Sequence, residues 1–309
     1  MGEKKFTRRD FLKAASVVPL AGGLAPSLRG LSEKPAVPAG VSGSPAAAPG
    51  KVRVVLVRDK DCLDAAGKPN AAVVQKMLDD AVCALLDLKD PVAAWKTLVK
   101  PEDTVGIKTN VWQYLTTSAA VEEALKRRVL DAGVPEDRVG IDDRGVLRNP
   151  IFQNATALIN ARPARTHSWS GMGSLLKNYI MFTPQPSAWH PDTCADLAKI
   201  WSLPVVKGKT RLNILVLFTP LFNSAGARDF SAEYVWPYRG LAVSLDPVAA
   251  DATGLRILLA KRREYFGEDR PLRPPAHHIA LAETRHGLGV AAEDRIELVK
   301  LGWQEGVLI

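Results

Sequence analysis

Apolar and polar positions follow two rhythms along this chain. Lys51 to Val57 is a short β-branched run that predicts a strand. From Ala71 to Leu88 the apolar set Val74, Met77, Leu78, Ala81, Val82 and Leu85 recurs at helical spacing and predicts a helix. The same reading gives a strand at Thr104 to Lys108, a helix at Ser118 to Ala132 and a strand at Arg138 to Ile141. Such βαβαβ order predicts an α/β fold of three layers around a mostly parallel sheet. Later come strands at Leu212 to Phe218 and Leu241 to Leu245, a helix from Pro247 to about Tyr265, a short helix at His277 to Arg285 and a closing strand around Arg295 to Val299. From Pro150 to Pro204 both rhythms fail. That stretch, rich in Trp, Pro, Asn and Ser, reads as an irregular central insertion of the kind that builds a site over a rigid scaffold.

The start of the chain follows another logic. Lys4 and Lys5 lead into Thr7-Arg8-Arg9-Asp10-Phe11-Leu12-Lys13, which matches a twin-arginine export signal at every favoured position. The apolar stretch from Ala14 to Leu28 is broken by Pro19, Gly22 and Gly23, so it is too short and too weakly hydrophobic to be a membrane span. Residues 1–34 are therefore read as a twin-arginine signal peptide. The expected partner is the twin-arginine translocase, and the destination is periplasmic or extracytoplasmic, reached by a folded protein. No cysteine closes the apolar stretch, so no stable membrane anchor is expected after processing. Residues 35–50, almost wholly Ala, Pro, Gly, Ser and Val, read as a linker, and 51–309 as a single α/β domain.

Charge changes this picture little. The chain carries a formal +8, but its first fifty residues hold seven Lys or Arg against three Asp or Glu, leaving 34 basic and 30 acidic groups in the domain. A nucleic-acid partner is not expected, and the Lys-Arg-Arg runs at 126–128 and 261–263 read as solvated helix faces. Cys62, Cys83 and Cys194 are far apart and lack C-x-x-C spacing. A structural zinc or a four-cysteine iron–sulfur cluster is thus excluded from this chain alone, and Cys83, in an apolar run, reads as a buried thiol.

The candidate chemistry falls at strand ends, where open parallel sheets bind ligands. Lys108-Thr109-Asn110 and Asp142-Asp143-Arg144 close neighbouring strands. Lys108 and Asn110 can hold an anionic group, and the carboxylates Asp142 and Asp143 can move a proton or bind a metal; turn formation by Asn110 and Asp142 is the plainer alternative. A glycine turn, Ser170-Gly171-Met172-Gly173-Ser174, leads into a short helix carrying Lys177 and Asn178, whose free N–H groups favour anions. His167 and His190 lie nearby as proton carriers, ligands or hydrogen-bonded structural residues. Asp246 and Pro247 read as a helix cap, and Asp251 as a buried carboxylate that needs a partner.

Four segments in order, Val105 to Asn110, Gly173 to Asn178, Ser244 to Asp251 and His286-Gly287-Leu288-Gly289-Val290, resemble the domain of unknown function 362 family over about residues 52 to 300. Some members of that family carry ferredoxin-type iron–sulfur modules, and many have an export signal. This chain lacks cluster-binding cysteines, and Val216-Leu217-Phe218 stands where an acidic residue commonly ends the corresponding strand. The expected function is an enzyme acting on a small anionic metabolite, with or without a divalent metal whose ligands are left unassigned. Lys108, Asp142, Asp143 and Lys177 are its catalytic candidates, and Asn110, Asn178, His167 and Asp251 its ligand-binding ones. The rival is a non-catalytic periplasmic binding or assembly protein serving an exported redox complex.

Overall fold

A computed structural model describes residues 50–224, 226 and 229–309. Residues 1–49, which hold the expected signal peptide and most of the expected linker, lie outside the described residues. Eight strands form one sheet: β1 (Val52–Arg58), β2 (Val105–Lys108), β3 (Val139–Asp142), β4 (Ala157–His167), β5 (Gly171–Gly173), β6 (Thr210–Leu221), β7 (Gly240–Ser244) and β8 (Ile296–Gly302). Their order is β3-β2-β4-β6-β7-β1-β8, with β5 folded back onto β4. The sheet is mostly parallel; β7 runs antiparallel to both its neighbours.

Alternation along the strands splits the core in two. Val55, Val57, Val105, Ile107, Ile159, Ile214, Val216 and Val243 face one side, against helices α1 (Ala71–Leu86), α2 (Pro91–Leu98) and α3 (Ala119–Asp131). The face of α1 inferred from its spacing, Val74 to Leu85, is buried there. Asn70 caps the start of α1 through the Ala72 N–H, and Asp87, in left-handed backbone, ends it. Leu56, Leu158, Leu215, Leu217 and Ala242 face the other side. That side holds α4 (Pro150–Gln153), α5 (Leu175–Asn178), α6 (Pro247–Phe266), α7 (His277–Thr284) and the central segment, completing three layers. Among the described residues no helix is long and apolar enough to cross a membrane.

Three expectations need correction. The stretch from Pro150 to Pro204 is not irregular throughout: it contains β4, an eleven-residue strand in mid-sheet between β2 and β6. Its pattern is hidden because Asn160, Arg162 and Arg165 occupy buried positions usually held by apolar residues, and because Pro163 sits where the pairing with β6 slips. The second basic run is not a solvated face, since Arg262 is buried and caps the carbonyls of Phe222, Arg270 and Pro271. Cys83 is half-buried rather than enclosed; all three cysteines are free thiols.

Strand β1 is fastened late in the chain. It pairs with β7 and β8, and the Arg58 guanidinium lies between the rings of Tyr238 and Trp303 while donating to the carbonyls of Tyr238 and Glu305.

Candidate functional site

β2 and β3 are parallel neighbours, with Lys108 beside Asp142 in register. Side chains alternate, so Ile107 enters one core while Lys108 points to the opposite face, beneath α5. There its ammonium donates to the carbonyl of Thr109 at 2.8 Å, to Asp143 Oδ1 at 2.5 Å and to Asn178 Oδ1 at 3.3 Å. Those three bonds use all three of its protons. Asn178 donates in turn to the Lys108 carbonyl and to Asn160 Oδ1, Asn160 to Asn213 Oδ1 and the Leu175 carbonyl, and Asn213 to the Leu245 carbonyl. This is a closed polar network running across β2, β4 and β6.

Burial pulls the Lys108 amine down to about 8 against the pull of Asp143. Burial alone would raise the Asp143 carboxyl, yet Lys108, the Val111 N–H and Arg162 hold it below the usual carboxylate range. At neutral pH both are therefore ionised, a buried pair with its hydrogen bonds satisfied.

The other candidates divide. Asp142 Oδ1 accepts the Gly145 N–H and its Oδ2 the Asn149 amide, so it shapes the turn after β3 rather than joining Asp143 at Lys108. Asn110 does the same in its own loop, accepting the Trp112 N–H and exchanging bonds with Thr117. Asp251, fully buried on α6, accepts the N–H groups of Leu175 and Leu176 at 2.8 and 2.9 Å. It thereby fills the helix start that had been expected to take an anion, and burial raises its carboxyl to about 7. His278, equally buried, sets Nε2 2.9 Å from Ser174 Oγ and braces the same turn.

What remains is a group of cations that the sequence reading missed in part. Arg162 and Arg165 leave β4 on the side of Lys177, and all three are nearly enclosed, at 3%, 5% and 4% exposed. Gly173 lets the two arginines lie together, because a Cβ there would meet the Arg162 guanidinium at 2.8 Å and Arg165 Cγ at 3.2 Å. Arg162 donates to the Ser174 carbonyl, but its Nε finds no acceptor among the described residues, and the same holds for Arg165 Nε. The Arg165 guanidinium sits 4.0 Å over the Trp112 ring. Among the described residues the Lys177 amine has one hydrogen-bond acceptor, Cys194 Sγ at 3.6 Å. The thiol is brought there by a turn in which Asp192, Thr193 and Cys194 all take left-handed backbone, an arrangement that costs non-glycine residues of order 1 kcal/mol each.

Each cation depresses its neighbours. Burial lowers Arg162 to about 10 and pulls Arg165 well below its ordinary value, with Arg162 adding repulsion. Lys177 falls to about 8 through burial, then through Arg162 and Arg165, against the Cys194 thiol. His167 is pushed far down by burial, Lys177 and both arginines, so its ring is neutral. The Trp169 N–H donates to His167 Nδ1, which leaves the proton on Nε2. Trp169, 55% exposed, stacks on His190 at 5.0 Å and marks the outer edge of the cluster. The clue available in the sequence was the pair of arginines three residues apart, Arg162 and Arg165, shortly after the apolar run Ala157-Leu158-Ile159.

Among the described residues no group of three or more His, Cys, Asp or Glu side chains could hold a metal ion. A cavity of about 630 Å³ is lined by Thr166, Asn223, Arg262 and Arg270 among others, and not by Arg162, Arg165 or Lys177. It is a poorer candidate, because its buried cation, Arg262, already spends its donors on carbonyls and Asn223. Comparisons with family models, curated proteins and solved structures return no significant match to this chain.

Proposed function

We propose that this chain is an enzyme acting on a small anionic metabolite, bound against Arg162, Arg165 and Lys177. One observation carries the reading: three buried cations stand together with hydrogen-bonding capacity unspent, an arrangement that is costly unless a ligand of opposite charge completes it. Lys177, at about 8, is suited to exchange a proton near neutral pH, and neutral His167 offers an Nε2–H donor beside it. The resemblance to the domain of unknown function 362 family, carried by its four motifs, belongs to the same proposal, as does export of the folded protein by the twin-arginine route.

The test is native mass spectrometry with elemental analysis on protein folded in the cytoplasm, beside Lys177→Met. A co-purifying anion, lost or weakened roughly ten- to hundredfold in the variant at unchanged melting temperature, is the expected result. Equal retention of the anion by the variant would rule out this site.

A further inference from the structure

The charges enclosed in this region do not cancel. Lys108, Arg162, Arg165 and Lys177 are buried together, and the buried carboxylates among them are Asp143 and Asp251. Asp143 is committed to Lys108, the only one of the four cations that is ion-paired with a carboxylate among the described residues. Asp251 offers its two oxygens to the backbone of α5 and gives Arg162 only a longer-range attraction. Even with both carboxylates ionised, the sum is an excess of two positive charges, carried by Arg165 and Lys177 and extended by the unspent Nε of Arg162. A ring beneath a guanidinium attracts the charge without accepting its N–H bonds, so Trp112 holds Arg165 while leaving it free to donate.

A ligand with one negative charge would leave the site still positive, with two arginines and a lysine repelling one another in a low-dielectric surrounding. Resting on the anion reading above, we infer that the ligand is a compact dianion: a phosphate monoester, or a dicarboxylate whose two acid groups lie close together. Both present the same chemistry, two negative charges on clustered oxygens that can take a guanidinium fork and an ammonium at once.

The experiment is calorimetric titration of the full chain with two matched pairs, methyl phosphate against dimethyl phosphate and succinate against succinamate. Each pair changes the charge by one; the phosphate pair adds a single methyl group and the carboxylate pair keeps its skeleton. In at least one pair the dianion should bind about tenfold or more tighter than its monoanionic partner, and the pair that shows the gap identifies phosphate or dicarboxylate. Arg165→Gln should close that gap while the protein, by circular dichroism, stays folded; Lys177→Met offers the same loss from a different element if the first variant does not fold. Equal affinity for both members of both pairs would overturn the dianion inference and leave the anion site standing. No heat of binding from any of the four up to ~10 mM would overturn the anion reading as well.

Discussion

Two groups of buried polar residues sit side by side beneath α5, and they differ in one respect. In the network from Lys108 through Asn178 and Asn160 to Asn213, the lysine's protons and the amide of Asn178 are all used. In the cluster of Arg162, Arg165 and Lys177, donors are left over. The first has the form of a structural brace, which holds three strand ends and a helix in fixed relation. The second is costly to the unliganded fold and has the form of a receptor. A buried lysine is therefore not informative by its burial; what its protons touch decides its role.

The sharpest way to break the comparison is to remove one lysine from each group. Lys108→Met should strand a charged Asp143 and an unpaired Asn178 amide oxygen, costing about 3–5 kcal/mol of stability in chemical denaturation. Lys177→Met should leave stability unchanged or slightly raised, because it relieves repulsion. If Lys108→Met were as stable as the parent, the brace would not be one.

A pH titration sharpens the contrast with a smaller effect. Lys177 loses its proton at about 8 in the folded state and at 10.5 in an unfolded chain. Between these values the unfolded state binds more protons, so this group makes the unliganded protein more stable as pH rises from 8 towards 10.5, by at most about 1.4 kcal/mol per pH unit. Affinity for an anion should fall over the onset of the same window, as the charge is lost. Thermal melts and binding isotherms on one pH series would show the two trends diverging, and Lys177→Met should flatten its share of both. Parallel trends would place the receptor elsewhere.

The smallest effect is expected from Gly173→Ala. The added methyl meets side-chain atoms of Arg162 and Arg165, which can move aside. A few-fold loss of anion affinity with little change in melting temperature is the expected outcome. A large loss of stability would mean that the arginines are packed as rigidly as the brace.

Most of the scaffold was legible in the sequence, because β1, α1, β2, α3 and β3 keep the periodicity of half-buried elements. The adjacency of β2 and β3, which drew attention to Lys108 and Asp143, followed from their order. The failure fell on β4. That strand sets the buried polar residues Asn160, Arg162 and Arg165 where apolar residues would announce it, and Pro163 weakens the signal further. Two of the three cations of the proposed site were hidden for the same reason as the strand that bears them. Asp142 and Asn110 were over-read in the opposite direction, since Asp and Asn at the end of a strand shape turns as readily as they bind ligands.

The late fastening of β1 has a consequence for how the molecule is made. Val52 to Arg58 leaves the ribosome first among the strands, yet its partners are Gly240 to Ser244 and Ile296 to Gly302. During most of translation this β-branched segment therefore has neither native edge to pair with, and closing the contact requires nearly the whole domain to be in place. An unpaired apolar strand is a site for sticking to other chains. Both edges of β1 accordingly stay without their native partners until the last strand of the sheet has been made.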